Sequence, residues 1–164
     1  MNEPPVSILV SLARQELQLM VDGRGRCSYP VSTAAGGAGE HNGSLQTPRG
    51  WHVVRARIGE GAPVGTVFRA RRPTGEIYQE ALGRRHPGRD WILTRILWLS
   101  GCEPGFNRLG DVDTMRRYIY IHGTPDDTVL GVAGSHGCIR MRNADIVALF
   151  DRVPVGTPVE IREG

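Results

Sequence analysis

Turn-forming residues set the main limit on what this chain can become: 22 glycines and 11 prolines are spread through its 164 residues. Glycine frees the backbone for tight turns and proline fixes it, so short strands joined by close connections are favoured over long helices. An all-β or β-dominated fold is expected. The length suits one domain spanning residues 1–164, with a core that needs no disulfide or metal to hold it.

The apolar pattern agrees. Val6, Ile8, Val10 and Leu12 alternate with other residues, and Leu17, Leu19 and Val21 do so again before Asp22-Gly23, which predicts a hairpin. A strand is expected around Cys27 to Ser32, then a mobile loop over the small-residue stretch Ala34 to Ser44. Trp51 to Ile58 reads as a strand, and the polar stretch Arg69 to Arg89 as a long excursion. Trp91 to Leu99 fits a buried strand or a short helix equally well. Tyr118 to His122 predicts a strand with Tyr118, Tyr120 and His122 on one face and Ile119 and Ile121 on the other. One segment has clear helical spacing: Asn143 as N-cap, Ile146, Leu149, Phe150 and Val153 on one side, and Pro154 as the stop. Thr157 to Arg162 predicts a closing strand.

The net charge is +3 and all 20 basic residues are arginine. A guanidinium suits carboxylate recognition, although genomic codon bias explains the absence of lysine as well. The arginines are interspersed with acids and form no stripe, which argues against nucleic acid as a partner. No apolar run is long enough to span a bilayer, so no membrane association is expected. Met-Asn-Glu-Pro-Pro has no basic leader, which predicts a soluble cytoplasmic protein, or a periplasmic one if the natural N-terminus lies upstream.

Three cysteines, Cys27, Cys102 and Cys138, leave at least one free thiol however they pair. Cys138 lies in Ser135-His136-Gly137-Cys138-Ile139-Arg140. A nucleophilic thiol needs an imidazole or a positive field beside it, and both His136 and His122 are candidates. Gly134 and Gly137 let nearby amides converge on a developing oxyanion. These residues fit three readings: acyl transfer, a buried structural cysteine with structural histidines, or a metal site using His122, His136, Cys138 and Cys102.

The run Ile121-His122-Gly123-Thr124, followed after the intervening residues by Ser135-His136-Gly137-Cys138-Ile139-Arg140-Met141, resembles the signature of the L,D-transpeptidase (YkuD) catalytic domain. Further similarity in Tyr29 to Thr33, Thr47 to Gly50, Arg95 to Leu99 and Gly156 to Val159 extends the resemblance over about Val6 to Ile161. The resemblance implies a mainly β, YkuD-type β-sandwich-like fold with one or two short helices. It also implies attack on the bond between the L-centre of diaminopimelate or lysine and D-Ala in a peptidoglycan stem, with no cofactor or metal.

By this resemblance Cys138 is the nucleophile and His122 the general base. The Gly123 carbonyl orients the imidazole, Gly137 and Cys138 supply oxyanion amides, and Ser135 and His136 support the pocket. Arg140 binds a substrate carboxylate or, as favoured here, braces the loop. Tyr120 and Trp98 line the pocket or belong to the core, and Cys27 and Cys102 are packing residues. With no leader visible, the expected reaction is L,D-carboxypeptidase cleavage of tetrapeptide stems during peptidoglycan recycling, by a monomer. The alternatives are an exported transpeptidase that cross-links the wall or attaches lipoprotein, and a non-catalytic muropeptide-binding module.

Overall fold

Strand residues of the N-terminal third alternate between core and surface, which builds a three-stranded meander: β1 (Val6–Ser11), β2 (Glu16–Val21) and β3 (Arg24–Ser32). The computed structural model describes residues 3–164. Asp22 and Gly23 join β2 to β3 with φ of 53° and 75°, a left-handed pair whose twist matches that of the strands it links. β4 (Gly50–Ile58), β7 (Ile92–Gly101), β8 (Tyr120–Thr124), β9 (Ile139–Arg142) and β10 (Pro158–Arg162) complete the main sheet.

That sheet closes on itself. Its strand order is β4-β10-β1-β2-β3-β9-β8-β7, and β7 pairs back onto β4. A ring of eight strands encloses a space that side chains alone can fill. Ile8, Val10, Leu17, Leu19, Val54, Leu97, Leu99, Ile121, Ile139 and Val159 fill it, all within 1% of complete burial. The helix α2 (Asn143–Phe150) adds Ile146, Leu149 and Phe150 to this core.

Beyond the β4 pairing, the same edge of β7 is taken by β5 (Thr66–Arg69), which turns into β6 (Arg72–Ile77). A short helix, α1 (Glu80–Arg85), then leads to β7. The polar stretch expected to be an excursion is therefore a hairpin and a helix folded over the outer face of β7 and β8. Phe68 of β5 packs there on Ile96 and Tyr120.

Several expectations change. Trp91 to Leu99 resolves as strand, because both edges of β7 find partners. Tyr118 leaves the strand, with φ of 56° and 54% exposure, so it does not share the face of Tyr120 and His122 through strand alternation. Arg142, not Asn143, holds the N-cap position of α2, and the Asn143 amide points inward, accepting from Thr94 Oγ1 at 2.6 Å. Cys102 is exposed and does not pack, whereas Cys27 lies half-buried against the core.

The Ala34 to Ser44 stretch is tethered. Arg117 donates to the carbonyls of Gly39, Glu40 and Gln46 and to the Ser44 hydroxyl. Arg49 and Glu40 form a two-pronged ion pair at its far side.

His52 is fully buried between the Gly50 carbonyl and Thr114 Oγ1, and burial lowers its pKa to about 4. The unfolded chain takes up this proton near pH 6.5 and the folded chain only near 4. Stability contributed by the neutral imidazole is therefore present above pH 6.5 and lost progressively toward pH 4, by roughly 3 kcal/mol at most. Urea unfolding at pH 7 and pH 4.5 should show a drop that His52→Gln reduces by at least about 1 kcal/mol. An unchanged drop would remove His52 as a source of acid sensitivity.

Candidate active site

The parallel pairing of β8 with β9 matches Ile121 to Ile139, His122 to Arg140 and Gly123 to Met141. Since successive strand residues alternate faces, Ile121, Ile139 and Met141 enter the core. Tyr120, His122 and Arg140 point to the outer face, with Cys138 at the mouth of β9 one step before Ile139. His122 thus sits diagonally across from Cys138.

The His122 ring is fully buried. Its Nδ1 lies 2.6 Å from the Gly123 carbonyl. A carbonyl can only accept, so Nδ1 carries the proton and the lone pair falls on Nε2. Nε2 has no hydrogen-bond partner among the described residues. Burial lowers the pKa, the Gly123 carbonyl and Asp90 opposing it and Arg140 adding to it, so the ring is neutral near pH 7. Position 123 must be glycine here, because a Cβ would come within 2.7 Å of the Leu93 carbonyl and against the Asn143 amide.

The Cys138 sulfur accepts from the Tyr120 amide at 3.3 Å and donates to the Tyr118 carbonyl at 3.4 Å. Burial is the main reason that its pKa is pushed up to about 12, with Asp90 adding to the rise. The Tyr120 amide, Arg140 and Arg117 oppose it. The resting group is a thiol, and a base must remove its proton before it can attack.

The loop before Cys138 is pinned by the hydroxyls of Ser135 and Thr47. Ser135 Oγ donates to the Cys138 carbonyl at 2.6 Å and accepts from the Gly137 amide at 3.1 Å. Thr47 Oγ1 donates to the Gly137 carbonyl at 2.9 Å and takes the Ala34 amide at 3.0 Å. Gly137 has φ of +131°, and a Cβ there would lie 3.1 Å from Ile119 Cδ1 and 3.3 Å from the Gln46 carbonyl. Its amide is engaged by Ser135, so it must be released before it can serve an oxyanion, an added step that the sequence expectation lacked.

Arg140 donates to the Gly134 carbonyl and pairs with Asp90 at 3.0 Å. His136 projects outward, exposed, without a hydrogen bond among the described residues. Tyr120 is buried while Trp98 is half-exposed, their rings meeting edge to face at 6.0 Å.

Three contributors escaped the sequence reading. Asp90 partners Arg140, Arg117 fastens the neighbouring loop, and Arg71 lies over Trp98 and Tyr118 at 4.6 Å and 4.9 Å. No motif surrounds them. The available signal was weak: an arginine-rich turn, Arg69-Ala70-Arg71-Arg72, followed by Pro73.

Comparison with known proteins adds the following. The profile of the L,D-transpeptidase catalytic domain, YkuD, matches residues 5–161. A probable L,D-transpeptidase, ErfK/SrfK, of Salmonella typhimurium is 36% identical over 111 residues, covering 60% of this chain and 36% of that protein. A putative L,D-transpeptidase, YkuD, of Bacillus subtilis is 26% identical over 160 residues, covering 96% of this chain and 66% of that protein. Among solved structures, L,D-transpeptidase 3 from Mycobacterium tuberculosis, bearing a faropenem-derived adduct, superposes with a TM-score of 0.60 at 18% identity. That match takes in 98% of this chain and 61% of the other. The chain spans about a third of the ErfK/SrfK relative and under two thirds of the mycobacterial one.

In a Cys27→Ser/Cys102→Ser protein, where Cys138 is the sole thiol, iodoacetamide labelling followed by mass should still be accelerating with pH above 9. A plateau below pH 8 would contradict the half-buried, protonated thiol.

Proposed function

This chain belongs to the L,D-transpeptidase (YkuD) catalytic-domain family, and on that premise we propose that it cleaves the L,D-peptide bond before the terminal D-Ala of peptidoglycan tetrapeptide stems through an acyl-enzyme on Cys138. The observation that carries this reading is the buried His122, with Nδ1 fixed by the Gly123 carbonyl and Nε2 unpartnered on the Cys138 face. A ring held in that tautomer is ready to accept a proton and nothing competes for it.

In the first step the thiol turns from the Tyr118 carbonyl and gives its proton to His122 Nε2, and the sulfur attacks the carbonyl carbon at the L-centre. The Cys138 amide, joined by that of Gly137 once Ser135 lets go, meets the developing oxyanion. The imidazolium then returns its proton to the leaving amine as the carbon–nitrogen bond breaks and D-Ala departs. A second acceptor resolves the thioester, restoring the thiol and the neutral ring.

We favour water as that acceptor, which makes the protein an L,D-carboxypeptidase. Arg117 and Arg140 lie close enough to Cys138 to lower its pKa, and Arg71 stacks on the adjoining Tyr118. The nearby carboxylate, Asp90, is held by Arg140. An amine from a second stem arrives largely as an ammonium and meets like charge there, while water does not.

Incubation with a defined tetrapeptide should release D-Ala and tripeptide, and adding an acceptor amine should leave hydrolysis as the main product. Predominant amine-linked dimer would select the transpeptidase alternative, and neither product would reject the enzyme reading. Imipenem, bound in a related solved structure, should add its mass to the protein, and Cys138→Ala should abolish that shift. His122→Gln should lower acylation by roughly a thousandfold while leaving the unfolding midpoint near that of the parent. Acylation that survives Cys138→Ala would refute the nucleophile assignment.

A further inference from the structure

The β5–β6 hairpin carries Arg71 onto the outer face of the barrel, against the side chains of Trp98, Tyr118 and Tyr120. Its tip is the two-residue connection Ala70-Arg71, with φ of 48° and 66°, between the paired Arg69 and Arg72. A turn with both central residues left-handed is ordinarily made by Asn-Gly or Gly-Gly, since side chains are strained there. Here both positions carry a Cβ, and strain of that kind persists only where surrounding contacts enforce it.

The contacts are visible. The guanidinium lies over Trp98 at 4.6 Å and over Tyr118 at 4.9 Å, and Nη1 donates to the Tyr120 hydroxyl at 2.9 Å. Trp98 and Tyr118 are themselves in contact, with ring centroids 6.0 Å apart. Arg71 is half-buried and no carboxylate pairs with it among the described residues, nor do its remaining N–H groups find an acceptor. The aromatic wall fixes the plane of the fork and leaves its other edge open to solvent.

Both tyrosines that hold Arg71 also touch the sulfur through their backbones, Tyr118 by its carbonyl and Tyr120 by its amide. A pre-set fork with an open edge, linked to the reacting atom through these two tyrosines, is matched by a planar anion. Resting on the function proposed above, we infer that Arg71 forms a carboxylate subsite that grips the stem peptide at a carboxylate close to the scissile bond. Two stem carboxylates have that chemistry: the terminal one of D-Ala, and the side-chain one at the D-centre of diaminopimelate.

The test compares kcat/KM for a diaminopimelate tetrapeptide, its D-alaninamide counterpart and the corresponding lysine tetrapeptide, in parent, Arg71→Lys and Arg71→Ala proteins. Parent protein should prefer the substrate bearing the gripped carboxylate by about tenfold to a hundredfold, the usual strength of a charge-assisted pair. The preference should fall to near unity in Arg71→Ala and be partly kept in Arg71→Lys. Loss against the amide assigns the D-Ala carboxylate, and loss against lysine assigns the side-chain one. Binding of the same three peptides to Cys138→Ala protein, by calorimetry, reads the same ratios without turnover. Equal ratios in parent and Arg71→Ala, or a uniform fall for all three substrates, would overturn the subsite and leave the enzyme reading intact. If parent protein neither turns over nor binds any of the three, both ideas fall together.

Discussion

One register holds the rest of this structure in place: the parallel alignment of β8 and β9 that sets His122 opposite Arg140. Along both strands, every second side chain belongs to the core and every other to the outer face. A slip of β8 by one residue would turn Ile121 outward and bury His122 among aliphatic side chains. The apolar core thus supplies the positioning energy for the polar face. Removing the Ile121 side chain beyond Cβ would cost about 2–5 kcal/mol through the cavity left behind, so the pressure to keep this register is large. A neutral imidazole can be kept fully buried on this face because the carbonyl of the next residue on its own strand, Gly123, accepts from Nδ1.

The electrostatics of the face follow from how its charges are held. Arg140 is balanced by Asp90, while Arg117 and Arg71 face only carbonyls, hydroxyls and rings among the described residues. Burial alone would keep the thiol protonated, and guanidinium groups nearby work against that. The result is a thiol that is inert at rest and becomes a thiolate only when His122 takes its proton. A leaving group with a carboxylate suits the same surroundings, since it brings the negative charge they lack.

Much of this was legible in the chain. The hairpin of β1 and β2, the strand at β4 and the amphipathic α2 all follow from spacing, because in each the buried face is one-sided and short-range. The Ser135 to Arg140 run and His122 were found through family resemblance, and their juxtaposition rests on a parallel pairing that no local pattern reports. Three things were misread for one reason. By sequence Tyr118 continues its strand, Asn143 is a cap and Ala34 to Ser44 is loose, yet each is decided by a distant partner: the thiol, Thr94 and Arg117. The β5–β6 hairpin was hidden because its strands are short and polar and depend on the edge of β7 for pairing.

The position of β10 carries a consequence for how the molecule comes to exist. This strand lies between β1 and β4, parallel to the first and antiparallel to the second. Until residues 158–162 have left the ribosome, the ring has two open edges and the N-terminal meander has no neighbour on its outer side. Contacts joining such distant parts of a chain form late and slowly. A growing chain must therefore keep exposed strand edges until this strand has been made. Neither edge carries a charge where β10 will pair, so nothing but this strand protects them.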